Sequence, residues 1–171
     1  MITLELIIKG LISPRSVFQK ILDLEVKISV VIEAALFIAV INTLFTYFSI
    51  YFFYSKNEND DKLIILYYQY ILSKPIFLVF LELFRIFFIT TLVTYLGKIF
   101  GGKGSFFILL KCVVWIHFVL VFLNIIVLSF IQIIPYLDNI LVILANIWIM
   151  WVISECATKA HGFKSTFLVF S

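Results

Sequence analysis

Glu82 and Arg85 stand three residues apart inside a long apolar run. At that spacing two side chains leave one face of a helix close enough to pair. Arg85 falls near the centre of the run, where a charge in hydrocarbon costs about 2.5–3.5 kcal/mol, so it needs a partner. Counted from the centres of their own apolar runs, Asn42, His117 and Asn146 come to the same depth as Arg85. A polar layer of this kind supports one of two chemistries. It lines a substrate or proton path in which Glu82 or His117 titrates. Alternatively it is structural: Glu82 and Arg85 satisfy each other, and the Asn and His side chains bond between helices for about 0.6 kcal/mol each. The second reading is favoured because no run has the Gly/Pro-interrupted centre of a transport site.

A second motif, Gly97-Lys98-Ile99-Phe100-Gly101-Gly102-Lys103, has the GxxxxGK spacing of a phosphate-binding loop. The chemistry fails, because Gly104 stands where a Ser or Thr must hold magnesium, and an apolar helix precedes the motif where a strand is required. The segment reads as a Gly-rich basic turn. Its Lys98 and Lys103, together with turn N–H groups, form a candidate contact for an anionic lipid headgroup. Cys112 and Cys156 sit at the ends of two runs on the same side, so free thiols are expected and not a disulfide. With His117 and His161 far apart in sequence, no metal-ligand spacing occurs, and no nucleophile elbow or Ser-His-Asp pattern is present. No cofactor is expected. A membrane enzyme acting on lipid or isoprenoid phosphates is disfavoured too, since no acidic cluster stands at an interface to hold a divalent metal.

The elements that carry these residues follow from composition. Of 171 residues, 64% are apolar or aromatic and 13% charged, with a mean hydropathy of +1.17. Soluble domains average about 45–50% apolar and about a quarter charged, so a soluble enzyme is excluded, and 20 Phe with 8 Tyr and 3 Trp exclude disorder. The net charge of +3 arises from Lys residues scattered between apolar runs, which argues for membrane orientation and against nucleic-acid binding. Residues 28–53, 75–96, 106–133 and 137–157 are each long enough to cross a bilayer, which takes about 20 residues. The runs are continuous and not alternating, so the spans are helices and not barrel strands. An all-α integral membrane bundle of four transmembrane helices, a single domain over 1–171, is the expected fold.

Orientation follows from the basic residues. Lys9, Arg15, Lys20, Lys27, Lys98, Lys103, Lys159 and Lys164 fall on one side, against Lys56, Lys62 and Lys74 on the other. Such a bias predicts both termini in the cytoplasm, with Lys111 snorkelling to the same side. Ahead of the first span, Ser13 and Pro14 read as cap and first residue of an amphipathic helix with Val17, Phe18, Ile21 and Leu22 on one face. Residues 1–27 are therefore expected to lie on the inner membrane surface as an interfacial helix. Leu63–Leu72, with Tyr67, Tyr68 and Tyr70, reads either as an outer interfacial segment or as an extension of the second span bent at Pro75. In the first span, Ala35, Ala39 and Thr43 repeat every four residues, a close-packing face for another helix.

Three features in this order resemble the Yip-one domain family of Ypt/Rab-interacting multispanning membrane proteins and its bacterial members. They are Leu11-Ile12-Ser13-Pro14-Arg15-Ser16-Val17-Phe18 before the first span, Gly101-Gly102-Lys103-Gly104-Ser105-Phe106 before the third, and Asn146-Ile147-Trp148 followed by Ala160-His161-Gly162-Phe163-Lys164 at the fourth. The family usually has five spans, whereas Phe163 to Ser171 is too short to cross, leaving four spans and a C-terminal stub. The resemblance implies a non-enzymatic scaffold or adaptor in membrane organisation or trafficking, located in the bacterial inner membrane. Its partners would be the lipid bilayer, other membrane proteins or a second copy, with a small GTPase implied only through eukaryotic cousins. The alternative from the residues themselves is a small transporter or channel subunit built on the polar layer of Glu82, Arg85, Asn42, His117 and Asn146.

Overall fold

A computed structural model describes residues 4–54, 70–133 and 138–165. The long elements among the described residues are six helices: α1 (Leu4–Ile12), α2 (Pro14–Leu22), α3 (Ile28–Tyr54), α4 (Pro75–Ile99), α5 (Phe106–Ile133) and α6 (Asp138–His161). No strand occurs among the described residues. Four of the helices, α3 to α6, are long and apolar enough to span a membrane.

Local sequence explains the helix boundaries. Pro14 and Pro75 occupy the first turns of α2 and α4, where a missing N–H costs no hydrogen bond and the fixed φ suits a helix. Ser13 holds the cap position of α2 but its hydroxyl makes no cap bond. Ser105 does cap α5, its Oγ accepting the Ile108 N–H at 3.4 Å. Helices α4 and α6 end alike. Gly101 at φ 80° and Gly162 at φ 74° reverse the chain in the left-handed region. The next N–H in each case reaches back five residues, Gly102 to the Gly97 carbonyl at 2.8 Å and Phe163 to the Thr158 carbonyl at 2.9 Å.

The centre of the bundle is α5, the most buried span, while α4 is the least. One core cluster joins α3, α4 and α5: Val31, Ala35 and Ile38 pack with Ile86, Leu110 and Val113. Ala35 and Ala39 are fully covered and Thr43 nearly so, its hydroxyl bonded to the Ala39 carbonyl at 2.9 Å. The expected small-residue face of the first span is therefore the surface on which α4 and α5 close. Large apolar side chains such as Phe37, Phe80, Phe84, Ile143 and Ile147 remain outward. In a soluble protein that surface would aggregate; in a bilayer it faces acyl chains.

The N-terminal helix expected at the membrane surface packs its apolar face against other helices. Phe18 is 1% exposed, and with Val17 and Ile21 it packs into a second core cluster against Leu109, Cys112 and Ile116 of α5 and Val152 and Cys156 of α6. The apolar face of α2 is real, but protein covers it. Polar links hold the segment in place: Trp148 Nε1 donates to the Leu11 carbonyl at 3.0 Å, Arg15 lies 3.9 Å from Glu155, and Lys159 donates to Gln19 Oε1 at 3.3 Å. Residues rise together along both chains, so α2 runs beside the last turns of α6 in the same direction. Lys111 donates to the carbonyls of Leu22 and Leu24, each at 3.0 Å. It thus neutralises the carbonyl end of α2, in addition to the snorkelling role expected of it.

Residues 63–69, which carry most of the expected outer segment, lie outside the described residues. Residues 70–72 are helical, and the helical conformation is interrupted at Ser73 and Lys74 before Pro75. The Tyr47 hydroxyl donates to the Leu72 carbonyl at 2.5 Å and ties α3 to this break. Of the C-terminal stub, Phe163–Ser165 are described and 166–171 lie outside.

Candidate functional site

The polar layer assembles at the centre of the bundle, with one exception. Glu82 and Arg85 pair at 2.6 Å, as their spacing required. Asn42 of α3 is buried and lines the same crevice as Arg85. His117 of α5 is buried, its Nδ1 bonded to the Val113 carbonyl at 2.9 Å. Arg85, Asn42 and His117 line a crevice of about 230 Å³ between α3, α4, α5 and α6, to which α6 contributes Ile149 and Ile153. Asn124 lines it as well. Sequence reasoning missed Asn124 because it sits seven residues, about 10 Å, beyond His117 on α5, off the common depth; the seven-residue spacing, which returns to the same helix face, was the available signal.

Asn146 does not join the layer. It is exposed, and its amide donates to the Val142 carbonyl of its own helix at 2.9 Å. The reason lies in packing: among the described side chains of α6, burial begins only at Val152. The half of α6 before Val152 is less covered, and Asn146 lies on its exposed side.

At the other end of the bundle the Gly-rich turn proves to be a cradle for His161. A Cβ added to Gly97 or Gly102 would fall on the imidazole, and one on Gly104 would lie 2.9 Å from both the ring and the Ala160 carbonyl oxygen. The ring is bonded on both sides. Gly104 donates its backbone N–H to Nδ1 at 3.1 Å, and Nε2 lies 3.2 Å from the Val93 carbonyl. Lys103 N–H bonds the His161 carbonyl at 3.1 Å, and Phe163 stacks on the ring at 5.5 Å. This arrangement alters the headgroup expectation. The N–H groups of Phe100, Gly101, Gly102, Lys103 and Gly104 all have protein acceptors, so within residues 98–104 the exposed side chains of Lys98 and Lys103 are the groups left to meet an anion. Cys112 and Cys156 are free, buried, and packed in one cluster.

Lys98, Lys103, Lys111 and Lys159 gather at the end of the bundle where α2, the Gly-rich turn and the last turn of α6 meet. Among the described residues no group of three or more His, Cys, Asp or Glu could hold a metal ion. Four apolar spans, an outward apolar surface and a basic end define a polytopic α-helical integral membrane protein. Residues 9–171 match the Yip1 domain model, nearly the whole chain, and the protein belongs to that family. No curated protein and no solved structure matches it.

Proposed function

We propose that this protein is a non-enzymatic scaffold or adaptor of a bacterial inner membrane, holding membrane proteins or a second copy of itself through its transmembrane surface. The observation that carries this reading is the outer face of α4. Phe77, Phe80, Phe84 and Phe88 form an aromatic ridge at helical spacing, with Phe84 and Phe88 stacked at 5.7 Å, on the span that its own chain covers least. Family membership supports the same role. A photoreactive amino acid replacing Phe80 tests it in native membranes. A discrete protein adduct that Phe84→Ala diminishes supports the scaffold, and adducts with lipid alone overturn it.

In this reading the basic end of the bundle and both termini face the cytoplasm, and the ammonium groups of Lys98 and Lys103 contact anionic headgroups. A second reading, a small transporter or channel subunit, is favoured by one observation: the crevice lined by Asn42, Arg85 and His117 at mid-bundle. A solute flux lost in Arg85→Gln with normal membrane insertion would establish it.

A further inference from the structure

We infer that the crevice between α4 and α6 binds the carboxyl group of an amphipathic acid, a carboxyl carried on an apolar chain. The inference concerns occupancy, and it holds for a scaffold that never moves its ligand as well as for a transporter.

The polar atoms of the crevice suit a carboxyl group. The guanidinium of Arg85 has five N–H donors in a planar fork. One nitrogen, Nη2, is engaged by Glu82 Oε2 at 2.6 Å, and the side chain is still 50% exposed. Its remaining N–H donors can meet the carbonyl oxygen of a carboxyl group in the crevice that Arg85 lines. His117 supplies the complement. With its Nδ1 committed to the Val113 carbonyl as donor, its Nε2 carries a lone pair. Because Glu82 already balances Arg85, a bare carboxylate would bring an uncompensated charge into a low-dielectric site. An acid avoids that cost: it keeps its proton, donates it in a hydrogen bond to His117 Nε2 and accepts from Arg85 on its carbonyl oxygen, leaving the site neutral. The Asn124 amide adds one further donor on the crevice wall.

The remainder of the wall is aliphatic. Ile89, Ile116, Leu120, Ile149 and Ile153 offer nothing to a polar body and suit a chain. About 230 Å³ is room for the head and first carbons of such a molecule. Since α6 is buried only from Val152 inward, the rest of the chain has an exit toward the acyl layer on the outer half.

The test uses the full protein in zwitterionic phosphatidylcholine nanodiscs with a long-chain fatty acid bearing a diazirine on its chain, read by peptide mass spectrometry. Adducts are expected on the α4 and α6 peptides that hold Ile89 and Ile149–Ile153. Arg85→Gln should lower them about tenfold, the loss of a charge-assisted contact. Asn124→Leu keeps the Glu82–Arg85 pair and should lower them by a smaller factor, which preserves the test if the first variant fails to fold. Two competitors identify the source of the acid. Displacement by octanoic acid from the buffer marks an aqueous ligand, and displacement only by an unlabelled long-chain acid marks one drawn from the bilayer. Equal labelling of the crevice by a diazirine alkanol, or labelling unchanged in both variants, would overturn the inference.

Discussion

Gly104 donates its backbone N–H to Nδ1 of His161 across 57 positions of sequence, at 3.1 Å. An imidazole nitrogen that receives an N–H carries no proton of its own, so the proton sits on Nε2 and is donated to the Val93 carbonyl at 3.2 Å. One neutral ring therefore joins α4, the turn before α5 and the end of α6.

The cradle predicts an order among glycine variants. Gly97→Ala and Gly102→Ala put a methyl group where the ring lies, and each should cost about 3 kcal/mol, the upper end for overpacking. Gly101→Ala meets no atom and should cost only the left-handed backbone penalty, about 1–2 kcal/mol. Thermal unfolding in detergent would rank them. A larger loss for Gly101→Ala than for Gly97→Ala would show that the ring is not held there.

The docking of α2 gives a second contrast. Phe18→Ala empties a buried site between α5 and α6 and should cost about 3–5 kcal/mol. Ile12→Ala, at a side chain 71% exposed, should stay within about 0.5 kcal/mol. Equal effects of the two substitutions on unfolding would contradict the packing of Phe18 against α5 and α6.

Lys111 makes the third prediction. Lys111→Met keeps the bulk of the stem and removes both bonds to the Leu22 and Leu24 carbonyls, a loss of about 2 kcal/mol confined to the end of α2. The segment leading to α3 should open, and trypsin should cut after Lys27 faster than in the wild type. An unchanged cleavage rate would mean that the two bonds hold nothing in place.

What the sequence made legible, and what it did not, divides along physical lines. Continuous apolar runs announce spanning helices, because lipid demands length and apolarity at once. The three-residue spacing of Glu82 and Arg85 announced their pair, because a helix fixes that geometry locally. Val17, Phe18 and Ile21 announced a covered face but not its cover: acyl chains and helix surfaces are equally apolar, so the pattern is the same for both. Asn146 had the right depth, yet depth says nothing of which side of a helix is exposed. The glycines between 97 and 104 were legible as a turn, while their ring-shaped reason lay at His161. The available signal was two helices ending in glycine, with a histidine just before the second such end.

Orientation is the claim on which the rest depends, and cysteine labelling in intact membranes tests it most directly. The native Cys112 and Cys156 are buried and give a low background. A membrane-impermeant maleimide added from outside should react with Glu58→Cys, between α3 and α4 in sequence, and leave Lys103→Cys unlabelled until the membrane is permeabilised. Labelling of Lys103→Cys from outside, with Glu58→Cys protected, would invert the bundle and contradict the account.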